Sequence, residues 1–154
     1  MNVNSTLIEA HIFRKHENTI EFLLLKRAPN EIYPGIWQMV TGHTKYPDEK
    51  LYQTAIREIE EETGLKPERF WVVPNVNSFY SPETNEIIMI PVFAALVNEN
   101  ARIKISEEHI EYKWVSMEEA KMLLAWGGQK KSIDSIYEYF LLKQDYLKLL
   151  EIGL

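Results

Sequence analysis

Between Asp48 and Gly64 the chain is committed to one secondary structure, and that segment dictates what surrounds it. Leu51, Tyr52, Ala55, Ile56 and Ile59 recur at helical spacing, so a helix opening around Asp48 or Glu49 and stopped by Gly64 has one apolar face to bury. The rest of the chain supplies strands for it to pack on. Residues 7–13 and 19–26 are β-prone runs separated by the turn His16-Glu17-Asn18. After a loop marked by Pro29-Asn30 and Pro34-Gly35 comes a short strand at 36–41. Further strands are expected at 70–73, 76–80, 86–97 and 112–115, the third of these too rich in β-branched and aromatic residues for a helix. Ser116-Met117-Glu118-Glu119 has a capping-box pattern that opens a second helix through about Trp126, which Gly127-Gly128 breaks. A final helix from about Lys131 to Leu150 presents Ile133, Ile136, Tyr137, Phe140, Leu141, Leu147 and Leu150 to one side of the sheet. Strands and helices in this order predict a mixed, layered α/β domain.

The same helix ends in Arg57-Glu58-Ile59-Glu60-Glu61-Glu62-Thr63-Gly64-Leu65. Residues three and four apart share a helix face, so Glu58, Glu61 and Glu62 aim their carboxylates at one region beside the apolar stripe. Clustered carboxylates repel one another, and these sit where the helix dipole least welcomes negative charge. A solvated acidic face would leave unexplained the glycine ahead of the helix, Glu49 eight residues before Arg57, and the terminating Gly64. A hard cation resolves the repulsion, and oxygen-only ligation selects Mg²⁺, Mn²⁺ or Ca²⁺ over zinc. Arg57, four residues before Glu61, can brace a carboxylate with its planar guanidinium.

Composition narrows the partners. Without cysteine, disulfides and a thiol nucleophile are excluded and any metal must sit on oxygen or imidazole. The formal net charge of -6 argues against a nonspecific nucleic-acid binder, which needs a basic face. A small polyphosphate is compatible, because a divalent cation carries positive charge into an acidic site. With 45% hydrophobic and 26% charged residues the chain reads as soluble and globular, and no apolar run approaches the roughly 20 residues of a membrane helix. Its 154 residues suit one domain spanning 1–154. Residues 1–6 lack a basic start and an apolar stretch, so a cytoplasmic location is expected.

Glu49, Arg57, Glu58, Ile59, Glu61, Glu62, Gly64 and Leu65 match, position by position, the pattern of the Nudix box, Gly-x5-Glu-x7-Arg-Glu-apolar-x-Glu-Glu-x-Gly-apolar. One departure is visible: counting back from Glu49 puts His43 at the box glycine, with Gly42 one step earlier. The glycine role is assigned to Gly42, and the loop is one residue longer than the pattern. Outside the box, Trp37-Gln38-Met39-Val40-Thr41-Gly42, Glu108-His109 followed by Tyr112-Lys113-Trp114-Val115, and Trp126 followed by Ile133 and Phe140 resemble the bacterial dihydroneopterin triphosphate and dATP pyrophosphatases of this superfamily. The resemblance implies an α/β/α sandwich with a mixed sheet, in which the box helix presents its glutamates to Mg²⁺, with Mn²⁺ as an alternative. It implies hydrolysis of a phosphoanhydride bond in a nucleoside or pterin triphosphate, releasing diphosphate and a monophosphate. Hydrolysis of a dinucleoside polyphosphate or nucleotide sugar, and a non-catalytic nucleotide-sensing module, are the alternatives.

On this reading Glu58 and Glu62 are the first metal ligands, with Glu61 and the Gly42 carbonyl as further candidates and Arg57 orienting the set. The general base is either a box glutamate, Glu61 or Glu62, or Glu108 from the loop before Tyr112. Lys26 and Arg27 end a strand beside the loop and can meet phosphate oxygens, Arg27 bidentately. Trp37, Tyr33, Phe79 and Tyr80 are candidates to stack on a base or pterin ring, although aromatics on strands more often serve the core. Tyr80 lies near where some dinucleoside polyphosphate hydrolases of the superfamily carry a tyrosine. His43 and His109 are expected to make ordinary hydrogen bonds, because neither has a second histidine at metal-binding spacing.

Overall fold

A computed structural model describes residues 1–154. Its elements, in chain order, are β1 (Asn2–Asn4), β2 (Leu7–His16), β3 (Thr19–Arg27), β4 (Trp37–Gln38), β5 (Val40–His43), α1 (Leu51–Thr63), β6 (Arg69–Ser81), β7 (Glu86–Leu96), β8 (His109–Val115), α2 (Met117–Leu123), α3 (Gly127–Tyr137) and β9 (Glu151–Ile152). The sheet is mixed. β2 runs parallel to β7 along Glu9–Phe13, while its other edge is divided between two antiparallel partners. β5 takes the first half, with Ile8 opposite Gly42, and β3 takes the second, with Phe13 opposite Phe22. β8 pairs with β3, and β6 with β7.

Alternation along the strands separates two apolar layers, because successive side chains point to opposite faces. Ile8, Ala10 and Ile12 of β2, Leu23 and Leu25 of β3, and Phe93 and Ala95 of β7 meet Ala55 and Ile59 of α1. On the other face Phe13, Phe22, Leu24, Trp71 and Ala94 meet Ala120 of α2 and Ile133 and Ile136 of α3. This is the α/β/α sandwich, with α1 alone on one side.

Several expectations about the elements change. The run at 36–41 divides into β4 and β5 around Met39, whose side chain joins the α2/α3 layer. The two strands expected at 70–73 and 76–80 are one strand, β6, with a register shift between Val72 and Val76. Helix α2 ends at Leu123, ahead of Trp126, and the pair Gly127-Gly128 forms the first turn of α3 rather than a break. The helix expected to reach Leu150 stops being regular at Tyr137. A π-helical turn (Glu138–Leu142) seats Phe140 against Phe13 and Trp71, with ring centroids 4.3 and 4.5 Å away. A 3₁₀ segment (Gln144–Leu149) then brings the Leu150 carbonyl to the Val72 amide, and β9 pairs with Phe70 and Trp71. Covering the β6 edge satisfies backbone groups that a continued helix would leave unpaired.

Candidate active site

Arg57 is the hub of the carboxylate cluster. Its Nε and Nη2 donate to the two oxygens of Glu49 at 2.9 and 2.8 Å. Nη1 donates to Glu58 at 2.8 Å and Glu61 at 3.2 Å, and Nη2 also reaches the His43 carbonyl at 3.0 Å. One rigid fork therefore ties the loop before α1 to the glutamates on α1. The Arg57 guanidinium and the Thr54 hydroxyl hold the Glu49 carboxyl down to about 2. Glu58 in turn lies over Gly42: a β-carbon on that residue would overlap Glu58 Cγ and Cδ. The close approach explains why a glycine stands at this position of β5 despite the lengthened loop. Arg57→Ala is expected to slow turnover about ten-fold or more, the usual cost of losing a residue that orients ligands, and to lower the melting temperature. Arg57→Lys should recover only part of the rate, because an ammonium cannot reproduce the fork.

Glu62 is the opposite case. It is 3% exposed, and neither carboxylate oxygen has a hydrogen-bond partner. Burial first, and then the neighbouring Glu58 and Glu108 carboxylates, push its carboxyl up to about 10. The group is enclosed because the loop before β8 is stitched onto the end of α1. Gly64 turns the chain with φ 71°, Lys104 donates to the Thr63 carbonyl, and Ser106 donates to the Glu62 carbonyl. Ala28 donates to the Glu108 carbonyl from the other side. Glu62, Glu108 and His109 thus bring ligand atoms within 4.8 Å of one another. Burial and the nearby Glu31 and Glu58 carboxylates raise Glu108 above the ordinary carboxylate range. His109 is 4% exposed, and burial together with Arg27 lowers it to about 4, so its ring is neutral near pH 7. Gln38 Nε2 lies 3.1 Å from His109 Nε2, the hydrogen bond expected of this histidine. Its proximity to Glu62, 3.8 Å away, was not legible in sequence, since that histidine and the box are brought together only by the loop.

Beside the carboxylates opens a cleft of about 500 Å³. Arg27 and Gln38 line it and also border the acidic cluster. Arg27 is held in place by the Ile32 carbonyl at 2.6 Å and by Glu31. Tyr33 and Phe79 line the cleft, as does Trp126, which meets Tyr33 edge to face with centroids 5.8 Å apart. The other sequence candidates lie elsewhere. Lys26 points away from Arg27, as neighbouring strand residues do, toward Trp37, whose ring packs on the α2/α3 layer between Lys26 and Lys113. Tyr80 sits near the β6–β7 turn, half exposed, its hydroxyl donating to Asn85. Glu9, Asn77 and Gln129 also line the cleft; sequence reading passed over them because Glu9 falls inside a strand and the other two carry no motif.

Comparison with known proteins agrees with this architecture. A NUDIX domain profile matches residues 9–136. The bis(5'-nucleosyl)-tetraphosphatase [asymmetrical] of Mus musculus is 31% identical over 140 residues, covering 83% of this chain and 90% of that one. The nucleoside triphosphatase NudI of Escherichia coli is 30% identical over 111 residues, covering 67% and 78%. Among solved structures, the Escherichia coli dihydroneopterin triphosphate pyrophosphohydrolase superposes with a TM-score of 0.69 over 89% of this chain and 97% of that one, at 21% identity, a likeness of fold. The matched profile spans most of the chain, from Glu9 in β2 to Ile136 in α3 with the box helix between them, and the chain belongs to the Nudix family of hydrolases.

Proposed function

We propose that this protein hydrolyses a phosphoanhydride bond of a dinucleoside polyphosphate, using a divalent cation held by Glu58 and Glu62 with Glu61 and the Gly42 carbonyl as further oxygen donors. The observation that carries the metal-dependent chemistry is the buried Glu62 carboxylate with two unpartnered oxygens. An anion in that position is costly unless a cation compensates it. Nudix hydrolases typically use divalent metal ions, and the donor set of this chain fits Mg²⁺ or Mn²⁺. Bound there, the ion would neutralise the diphosphate and acidify a water.

The protein's own residues do the rest. Arg57 keeps Glu58 and Glu61 in one orientation. Arg27, between the cleft and the cluster, binds phosphate oxygens. Glu108 takes the proton of the attacking water: it stands beside Glu62, is open to solvent, and has its basicity raised by its surroundings. Glu61, half exposed and bonded to Arg57, is the second choice for that role. The aromatic cleft orients a nucleoside.

The tetraphosphatase relative supports a dinucleoside polyphosphate, which sequence reading ranked below a triphosphate. The match to NudI favours a nucleoside triphosphate as the second reading. A panel of diadenosine tetraphosphate, dATP, other nucleoside triphosphates, dihydroneopterin triphosphate and ADP-ribose, assayed with Mg²⁺, with Mn²⁺ and with EDTA, separates them. Diadenosine tetraphosphate is expected to give the highest kcat/KM, with turnover abolished by EDTA. A clear preference for any triphosphate transfers the assignment to the second reading, and silence across the panel removes both.

A further inference from the structure

The cleft has a polar floor that the hydrolytic chemistry does not use. Glu9 and His11 lie two apart on β2 and are 2% and 1% exposed, on the face toward α3 that Phe13 also occupies. Glu9 Oε2 pairs with His11 Nε2 at 2.6 Å, and Asn77 Nδ2 donates to Glu9 Oε1. Above them α3 begins so close that a β-carbon on Gly128 would overlap Asn77 Oδ1. The Asn77 amide is therefore clamped, its nitrogen toward Glu9. Gln129, in the same first turn, lines the cleft with a buried Oε1 that has no partner.

Counting donors and acceptors shows what this floor lacks. A carboxylate offers about four lone-pair sites, and Glu9 uses one on each oxygen. His11 Nε2 and one Asn77 N–H are spent on Glu9, so spare acceptor sites remain on the Glu9 carboxylate, and the buried Gln129 Oε1 is a further acceptor without a partner. An aliphatic residue in place of Glu9 would cost less to bury, so the carboxylate is unfavourable for the fold alone. Tyr33, Phe79 and Trp126 supply flat apolar surface around this acceptor floor. Tyr33 is held at the mouth in a left-handed conformation, φ 54°, which a side chain of its size adopts only when its surroundings impose it.

We infer that this cleft is a base-recognition subsite for an amino-bearing purine, whose exocyclic amino group donates to Glu9 while the ring packs on the aromatic walls. His11 and Asn77 are positioning residues that hold the carboxylate. The inference rests on the assignment of a nucleotide substrate and adds which part of it the protein reads.

The test uses equilibrium binding, so it does not depend on turnover. Titration calorimetry of the full-length protein compares AMP and GMP with purine riboside 5'-monophosphate, which has the same ring system and no exocyclic amine. At least one of the amino-bearing nucleotides is expected to bind about ten-fold or more tightly, as sites that hydrogen-bond a substrate group reject analogues lacking it. Glu9→Met, which keeps the length of the side chain and removes the acceptor, should bring the three affinities together, and a retained melting temperature shows that the variant folds. Equal binding of all three by the unaltered protein overturns the inference, and so does a preference that survives Glu9→Met. Because the comparison within the unaltered protein needs no variant, it stands if Glu9→Met does not fold. Discrimination without hydrolysis of any panel substrate would leave the subsite in place and sink the proposed reaction; hydrolysis without discrimination would do the reverse.

Discussion

Glu62→Gln is expected to reduce hydrolysis on the order of a hundred-fold, the scale of losing a metal ligand, while making the metal-free protein more resistant to unfolding at alkaline pH. The two effects have one cause. In the folded, metal-free chain the Glu62 carboxyl is raised from 4.5 to about 10. Between those values the folded state holds a proton that the unfolded state has released. Stability linked to this group is therefore fully present below about pH 4.5 and is lost as pH rises through the folded value near 10, with a limiting slope of about 1.4 kcal/mol per pH unit for one proton. Glutamine keeps the shape and removes the titration. Denaturant unfolding in EDTA should show wild type losing stability from pH 5 to pH 9 relative to the variant. Mg²⁺ should flatten that slope in wild type only, since the cation takes the place of the proton and releases it. A fully active Glu62→Gln protein, or parallel pH profiles for the two proteins in EDTA, would refute the assignment.

Gly42→Ala should be nearly as damaging to activity, at a modest cost to the fold. The new methyl group occupies the space of Glu58 Cγ and Cδ, and the flexible end of a glutamate is easily displaced. Stability is expected to fall by about 1 kcal/mol, at the low end for overpacking, because the β5–β2 pairing of Gly42 with Ile8 tolerates alanine. Activity should fall by several tens-fold, because Glu58 leaves its bond to Arg57 and with it the cluster. The concentration of Mg²⁺ or Mn²⁺ needed for half-maximal rate should rise. If alanine leaves both the rate and the metal requirement unchanged, Gly42 is not the box glycine and the role passes to another backbone position. A large loss of stability with an unchanged metal requirement would instead mean that Gly42 serves only the sheet.

What the sequence by itself determined is local and periodic. Helical spacing placed α1 and its glutamates, since one amphipathic stripe and a glycine in the left-handed region define a helix and its end without reference to distant residues. Strand-favouring composition placed β2, β3 and β7, and the box pattern identified the family from residues 42–65. The last helix ends earlier than its spacing predicts for the converse reason. Its apolar spacing continues to Leu150, but Phe140 must fit between Phe13 and Trp71 and the edge of β6 must be covered, and neither demand is local. Only the tertiary structure decided which glutamate is buried. Glu58, Glu61 and Glu62 look alike along the helix, and Glu62 becomes the enclosed one because the loop at 98–108 folds over the end of α1. The same long-range closure brings His109 to Glu62. The cleft is likewise assembled from β2, β6 and the start of α3, with Arg27 contributed by β3, Phe79 by β6, and Tyr33 and Trp126 by two separate loops. Separations of this length carry no periodic signal, because it is the burial of two opposed apolar faces of one sheet, and not any neighbouring residue, that fixes where those segments meet.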